Sequence, residues 1–191
     1  IMTTLASLAE RDELHRPLLD EGILEPIIAI SDRVTKHRDT VKIHHSTMLK
    51  FAIKILSFLS LDNDNLSLLI EKGAGKVFIE TLIGLYEIQK TYGPEDVSTF
   101  QQLNSFIMRN TCIGLGNLAR SDENCMSLVQ MGASQILLRF LRDGTDMNQV
   151  DLQLICNAAF ALTNLSRAHS VKPLLVQEGA IDVLKQFVNR E

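Results

Sequence analysis

Four asparagines are the residues of this chain whose type and spacing could serve binding chemistry, because each stands in a largely apolar stretch. The run NAAFALTNLS, residues 157–166, carries Asn157 and Asn164 seven residues apart, and Asn110 and Asn117 repeat that spacing. Residues seven apart share one face of a helix. A carboxamide offers both a donor and an acceptor, whereas a buried amide without partners costs about 1–3 kcal/mol. These amides therefore predict either a hydrated helix face or a face that binds a peptide backbone.

Motifs for metal binding and catalysis are incomplete. The segment DNDN, residues 62–65, has the start of a calcium loop, but Ser67 and Gly73 stand where that loop needs glycine and a bidentate glutamate. The histidines of KHRDTVKIHH, residues 36–45, lack carboxylate or cysteine ligands at helical spacing, which predicts a solvated basic loop. We therefore expect no catalytic residue, no metal and no cofactor, and we do not expect an enzyme.

Composition predicts a globular domain. The 191 residues are 46% hydrophobic, and the net charge of −4 gives no general attraction to nucleic acid or anionic membranes. The three cysteines form no CxxC pair, and Cys112 and Cys156 are predicted as small core residues. No apolar run approaches about 18 residues, so no membrane span is expected. We expect a cytoplasmic protein and a fragment of a longer one, with nuclear or membrane association through other segments left open.

The chain contains four copies of one pattern, aligned on glycines spaced 51, 59 and 47 residues apart. These glycines are Gly22, Gly73, Gly132 and Gly179. Fourteen residues before them stand Leu8, Leu59, Leu118 and Leu165. Ten residues after those leucines come Leu18, Leu69, Leu128 and Leu175. Agreement at this many aligned positions predicts an internal structural repeat.

Each copy predicts three helices. The first leucine closes an apolar helix, as in GLGNLA, residues 114–119, and a polar turn such as RSDE, residues 120–123, can cap the next helix. This short helix ends at the glycine, which can adopt the left-handed conformation, and an amphipathic helix follows. No stretch alternates with the period of a strand, so an all-α protein is expected. One such unit cannot bury its own apolar face, but stacked units can, which predicts a solenoid.

The pattern resembles armadillo repeats in NAAFALTNLS followed by LLVQEGAIDVL, and in GNLARSDENCMSLVQMGASQILLRFL. The resemblance covers nearly the whole chain and implies a right-handed α-solenoid of stacked three-helix repeats, with HEAT-like stacking as the alternative. Residues 1–191 are expected to form one domain of about four repeats. Insertions near residues 32–46 and 87–100 exceed the usual length and are expected to be mobile loops or helix extensions.

The resemblance also implies a site, because the long helix of armadillo proteins lines a concave groove. An asparagine matching Asn117 and Asn164 can hold the backbone of an extended peptide there, and a structural role at the helix terminus is the alternative. Nuclear-import adaptors of the family carry tryptophan at the positions of Ile113 and Phe160, and this chain has none. Import-signal binding is therefore not expected. The expected groove residues are Lys54, Asn110, Ile113, Asn117, Arg120, Asn157, Phe160, Asn164 and Arg167.

Three functions follow as hypotheses. The first is a non-catalytic scaffold or adaptor that binds an extended peptide or a helix of a protein partner. The positive charges of Lys54, Arg120 and Arg167 would favour an acidic partner. The second is a regulator of small GTPases, because NLARSDENC, residues 117–125, resembles the armadillo-type GTPase dissociation stimulators. The third is an armadillo-only protein that positions an organelle through a protein partner and a membrane anchor outside this chain. No nucleic acid and no small-molecule substrate are expected.

Overall fold

The computed structural model describes residues 1–36, 43–91, 99–144 and 151–188, and within these ranges the secondary structure is helical, without strands. The helices, in chain order, are α1 (Met2–Leu8), α2 (His15–Asp20), α3 (Leu24–Lys36), α4 (Ile43–Leu59), α5 (Leu66–Glu71), α6 (Ala74–Thr91), α7 (Thr99–Leu118), α8 (Asp122–Gln130), α9 (Ala133–Gly144), α10 (Leu152–Leu165), α11 (Lys172–Gln177) and α12 (Ala180–Val188). Short 3-10 turns precede α2 and α5. None of the described helices is long and apolar enough to cross a membrane.

The helices form four successive sets of three, which we call units, each with a short helix between a first and a third helix. We call these two the long and the medium helix by position, although the predicted lengths hold only in the last two units: α1 has 7 residues and α3 has 13, and α4 has 17 and α6 has 18. The long helices α1, α4, α7 and α10 pack in sequence, each against the next, and the medium helices α3, α6, α9 and α12 form a second row. The short helices α5 and α8 contact the long helix of the following unit. This all-helical arrangement is consistent with an α-solenoid, since each unit contacts its sequence neighbours.

The predicted capping by the polar turns is confirmed at α8, and Asp62 caps the 3-10 turn before α5, whereas the turns before α2 and α11 provide no side-chain cap. Asp62 Oδ1 accepts from the Asp64 backbone N–H at 3.0 Å, and Ser121 Oγ accepts from the Asn124 N–H at 3.1 Å. The Asn124 side chain in turn donates to the Leu118 carbonyl at 3.1 Å, and Asn65 donates to the Leu59 carbonyl at 3.4 Å. Each amide thus bonds a carbonyl that has no partner within its helix, because it stands at the C-terminal end of a long helix. These bonds fix the corner between the long and the short helix.

The four aligned glycines have left-handed backbone conformations, with φ of 74°, 97°, 95° and 89°. No other described residue has a positive φ. The prediction of a left-handed glycine between the short and the medium helix is therefore confirmed in every unit. This conformation turns the chain sharply, so that the medium helix packs back on its own unit.

The repeated leucines of the last three units lie in the core, whereas Leu8 of the first unit is exposed and Leu18 is only partly buried. Leu59, Leu118 and Leu165 are fully buried, as are Leu69 and Leu128. The first insertion begins as an extension of α3 through Lys36, and α4 starts at Ile43; residues 37–42 lie outside the described part. The second begins within α6, which continues through Thr91, and residues 92–98, including the Gly-Pro pair, also lie outside it.

Gly73 allows the cost of the left-handed conformation to be measured alone, because a Cβ added there would meet no atom within 4 Å. We expect Gly73→Ala to lower the free energy of unfolding by about 1–2 kcal/mol, which is the usual cost of this conformation for alanine. Gly73→Asn should lose less, because asparagine enters this region more readily. Urea unfolding followed by circular dichroism measures both values. Equal losses would contradict this account.

Candidate protein-binding face

The long helices α4, α7 and α10 lie side by side, with α7 in the middle, and bring equivalent residues of three units together. We call their common outward surface the long-helix face. Its three rows are Phe51, Asn110 and Asn157; Lys54, Ile113 and Phe160; and Phe58, Asn117 and Asn164. The intervening Leu115 and Leu162 point into the core, as the spacing predicts. Seven of the nine residues of the expected groove belong to these rows, and two of the seven, Asn117 and Asn157, are buried. That the rows form a binding groove stays a prediction.

The asparagines tie each long helix to the one before it. Asn164 Nδ2 donates to the Gly116 carbonyl on α7 at 2.8 Å, and Asn117 Nδ2 donates to Ser60 Oγ just past α4 at 3.1 Å. Asn157 Nδ2 reaches the Arg109 carbonyl of α7 at 3.3 Å. Only Asn110 bonds within its own helix, to the Phe106 carbonyl at 2.8 Å. Three of the four amides therefore stabilise the junctions between units.

The four amides differ in whether their oxygen atoms already accept a hydrogen bond. Asn117 Oδ1 lies 3.4 Å from Arg120 Nη2, and Asn157 Oδ1 accepts from Gln153 Nε2 at 3.0 Å; both residues are buried. Asn110 and Asn164 are half-buried, and no described residue donates to their oxygens. The binding of a partner's backbone by all four amides stays a prediction, and Asn110 and Asn164 are the two with an acceptor still available.

Phe160 is the exposed apolar residue of this face, with 45% of its surface accessible. Its ring lies over Gly116 of α7, where an added Cβ would come within 2.5 Å of the Phe160 Cε1 atom. Glycine inside a helix costs roughly 0.5–1 kcal/mol relative to alanine, so close packing offsets that cost here. Phe160 and Asn164 thus both contact Gly116 at the α7–α10 junction.

Aromatic rings and lysines replace the amides on α4. Phe58 stands in the row of Asn117 and Asn164, and the Lys54 ammonium lies 5.5 Å from the centre of its ring. Lys54 also forms an ion pair with Glu10 of the first unit. Lys50, which no sequence pattern indicated, lies 4.8 Å from the centre of the Phe106 ring of α7. Such contacts contribute about 0.5–1 kcal/mol each at exposed sites, so this part of the face is held by its own side chains.

Three arginines that stand beside the rows of the long-helix face in sequence differ in their availability. Arg120 donates to the Leu61 carbonyl at 3.1 Å and to Asn63 Oδ1 at 2.5 Å, which ties it to the preceding unit. Arg109 pairs with Asp151 at 2.8 Å, an ion pair between units that no sequence spacing indicates although Arg109 adjoins Asn110. Arg167 is exposed, and its guanidinium has no hydrogen-bond or ion-pair partner among the described residues. Attraction of an acidic partner stays a prediction, and Arg167 is the arginine best placed for it.

The cysteines divide into two environments. Cys112 is fully buried, and burial raises the pKa of its thiol; burial, together with the Asp122 carboxylate, raises the pKa of the Cys125 thiol. Cys156 is exposed on α10, so its prediction as a core residue is wrong. It stands one position before Asn157, on the side of α10 that turns away from the core. The described residues contain no cluster of three potential metal ligands, and the side chains of the basic segment 36–45 lie outside the description.

Two relatives align with the whole chain. They are the Rap1 GTPase-GDP dissociation stimulators 1-A and 1-B of Xenopus laevis, each 25% identical over 191 residues. The chain spans 28% of the length of these curated relatives. No model of a known protein family matches it. The distant similarity agrees with the resemblance of residues 117–125 to dissociation stimulators and extends it over all four units.

The contact between Gly116 and Phe160 can be tested by a double-mutant cycle. Gly116→Ala should lower the free energy of unfolding by about 1–2 kcal/mol, because the new methyl group displaces the ring. In a Phe160→Ala background the same change should cost clearly less, because the ring is gone and alanine favours a helix, while the Ala161 Cα atom remains 3.3 Å from the added Cβ. Urea unfolding gives all four values. The same loss in both backgrounds would show that the two residues are not in contact.

Thiol accessibility provides a second test. A thiol reagent under native conditions should modify Cys156 first, because it is exposed, and leave Cys112 and Cys125 unmodified until the chain unfolds. Peptide mass spectrometry after timed labelling identifies the modified residue. Labelling in urea serves as the control in which all three react. Native modification of Cys112 at the rate of Cys156 would contradict the described packing of α7.

Proposed function

We propose that this chain is a non-catalytic armadillo-type α-solenoid that binds a segment of another protein along the long-helix face. The side chains at the junction of α7 and α10 are the main support for this proposal. There an exposed phenylalanine, Phe160, adjoins Asn164, whose oxygen is available, and Arg167, whose charge is unpaired in the described structure. Interfaces draw most of their affinity from a few anchors of this kind, with aromatic residues and arginine prominent among them.

The side chains define the segment that would bind. Phe160 offers an apolar contact, Asn164 Oδ1 would accept a backbone N–H, and Arg167 would attract a carboxylate. The opposite side, on α4, has its lysine already engaged with Glu10 and Phe58. We therefore infer that the last two units form the primary contact and that the partner segment is apolar with an acidic residue. No chemical step by this chain is required.

A small GTPase is the partner class that the comparisons favour. Both relatives are named as dissociation stimulators for the complex of Rap1 GTPase with GDP, and the alignment includes every residue of this chain. A protein without catalytic groups can promote nucleotide release if it binds the nucleotide-free GTPase more tightly than the GDP-bound form, since differential affinity shifts the equilibrium. We propose the cytoplasm as the location, where the three free cysteines would stay reduced.

The test measures binding and nucleotide release together. Purified Rap1 loaded with a fluorescent GDP analogue is mixed with this chain, and the release rate is followed, while calorimetry gives the affinity for nucleotide-free Rap1. We expect binding and faster release with the wild type. Phe160→Ala/Asn164→Ala should weaken binding by at least about tenfold, because both anchors are lost.

The matched control is Ile83→Ala, which removes an exposed apolar side chain on α6, outside the long-helix face. It should bind like the wild type, and circular dichroism should show equal helicity for all variants. Absence of Rap1 binding by the wild type would reject this GTPase as the partner. Equal weakening by the control and the double variant would reject the long-helix face as the site.

A further inference from the structure

A phenylalanine stands four residues before an asparagine at two places on the long helices. Phe160 and Asn164 form one pair, on α10, and Phe106 and Asn110 form the other, on α7. In both pairs the amide nitrogen is engaged: Asn164 donates to the Gly116 carbonyl and Asn110 to the Phe106 carbonyl, each at 2.8 Å. In both pairs the amide oxygen accepts no hydrogen bond from the described residues. Each pair therefore combines an aromatic ring with an available acceptor.

A positive charge adjoins the pair on α7. The Lys50 ammonium, on α4, lies 4.8 Å from the centre of the Phe106 ring and 5.8 Å from the centre of the Phe51 ring. It has no hydrogen-bond or ion-pair partner in the part of the chain that the structure describes. Aromatic rings attract a cation through their faces, but they provide no oxygen acceptor, so the three N–H donors of this ammonium remain available.

The other cations of the inner long helices are engaged within the chain. Lys54 pairs with Glu10, and Arg109 pairs with the carboxylate at the start of α10 at 2.8 Å. Arg120, just past α7, donates to a backbone carbonyl of the preceding unit at 3.1 Å. Among the side chains that the structure describes on α4 and α7, Lys50 is thus the cation without an oxygen partner.

We call Lys50, Phe106 and Asn110 the α4–α7 site. Its ammonium suits a carboxylate, because a hydrogen bond between two charged groups is roughly twice as strong as one between neutral groups. The oxygen of Asn110 suits a backbone N–H and repels a free anion, because a carbonyl oxygen is an acceptor only. An acidic residue within a peptide satisfies both groups, and the ring of Phe106 provides an apolar contact beside them.

We propose that the α4–α7 site binds an acidic residue of the same partner segment whose other anchor binds Phe160, Asn164 and Arg167, which we call the α7–α10 site. This inference rests on the proposed function, because it extends the bound segment from α10 across α7 to α4. The segment then carries two acidic residues, one for each site. Two linked anchors bind more tightly than either alone, because binding of the first raises the effective concentration of the second.

The long helices set the distance between the two acidic residues. Lys50 has the repeat position that Cys156 has on α10, and Cys156 precedes Arg167 by eleven residues. Eleven helical residues span about 16 Å along the axis, and two spacings between neighbouring helices add about 16–20 Å sideways. The two charges are therefore roughly 20–25 Å apart, a distance that an extended peptide covers in about seven residues.

Labelled peptides test the proposal by fluorescence anisotropy. The main probe has two leucine–aspartate pairs joined by a glycine–serine linker, with the aspartates about nine positions apart so that the linker is not fully stretched. One comparison peptide has a single pair, and another has two pairs about three positions apart, too close to span both sites. The main probe should bind the wild type at least about tenfold more tightly than either comparison peptide, and this gain should fall at high salt.

Lys50→Gln removes the charge and keeps most of the side-chain stem. It should reduce the affinity of the main probe to about that of the single-pair peptide, whose own affinity should change by at most about twofold. Lys50→Arg should retain the gain, because a guanidinium also stacks on aromatic rings. Lys76→Gln is the matched control, since Lys76 is an exposed lysine of α6, outside the long-helix face. Circular dichroism should show equal helicity for all variants.

The peptides separate failure of this inference from failure of the proposed function. Equal binding of all three peptides, unchanged in Lys50→Gln but lost in Phe160→Ala/Asn164→Ala, would overturn the α4–α7 site and leave the proposed function standing. An equal loss of the gain in Lys76→Gln and Lys50→Gln would also overturn the site. If none of the peptides bound the wild type, both would be overturned, because the long-helix face would not bind an apolar and acidic segment.

Discussion

The packing of each long helix against the next is the constraint on which the rest of this structure depends. A single unit of one long, one short and one medium helix has apolar residues on opposite sides, and its own helices cover only one of them. The middle long helix, α7, contacts α4, α6 and α10, so it serves two junctions at once. Gly114 and Gly116 permit this, because Phe78 and Phe160 occupy the space that side chains would fill on its two sides.

The same constraint explains why the asparagines are hard to assign from sequence. Asn164 donates to the backbone of the preceding long helix and still keeps an acceptor, while Asn117 has both ends of its amide engaged. Structural and binding roles are therefore not alternatives at Asn164. The hydrogen bond to Gly116 orients the side chain, and an oriented amide loses less entropy when it binds a second group.

Much of the fold could be predicted from the sequence, because its signals are local. The glycine that follows each short helix at a fixed distance predicted a left-handed backbone conformation, and Gly73 and Gly132 adopt it. The side chains that bridge units were less accessible. Arg109 and Asp151 are 42 residues apart, and no spacing rule pairs them. Cys156 was misplaced for a related reason: an apolar helix predicts burial on average, but the side that a neighbour covers depends on how the units rotate as they stack.

Because each unit contacts only its neighbours, a change in the order of one unit has little effect on distant units. In a chain of units coupled only to their neighbours, the free energy of ordering one junction is shared with the adjacent units and decays along the stack. A partner bound to α7 and α10 would slow amide hydrogen exchange in those helices and in the helices that contact them. The amides of α1 and α2 would exchange at their previous rates. Two ligands bound at opposite ends would therefore change each other's affinity little.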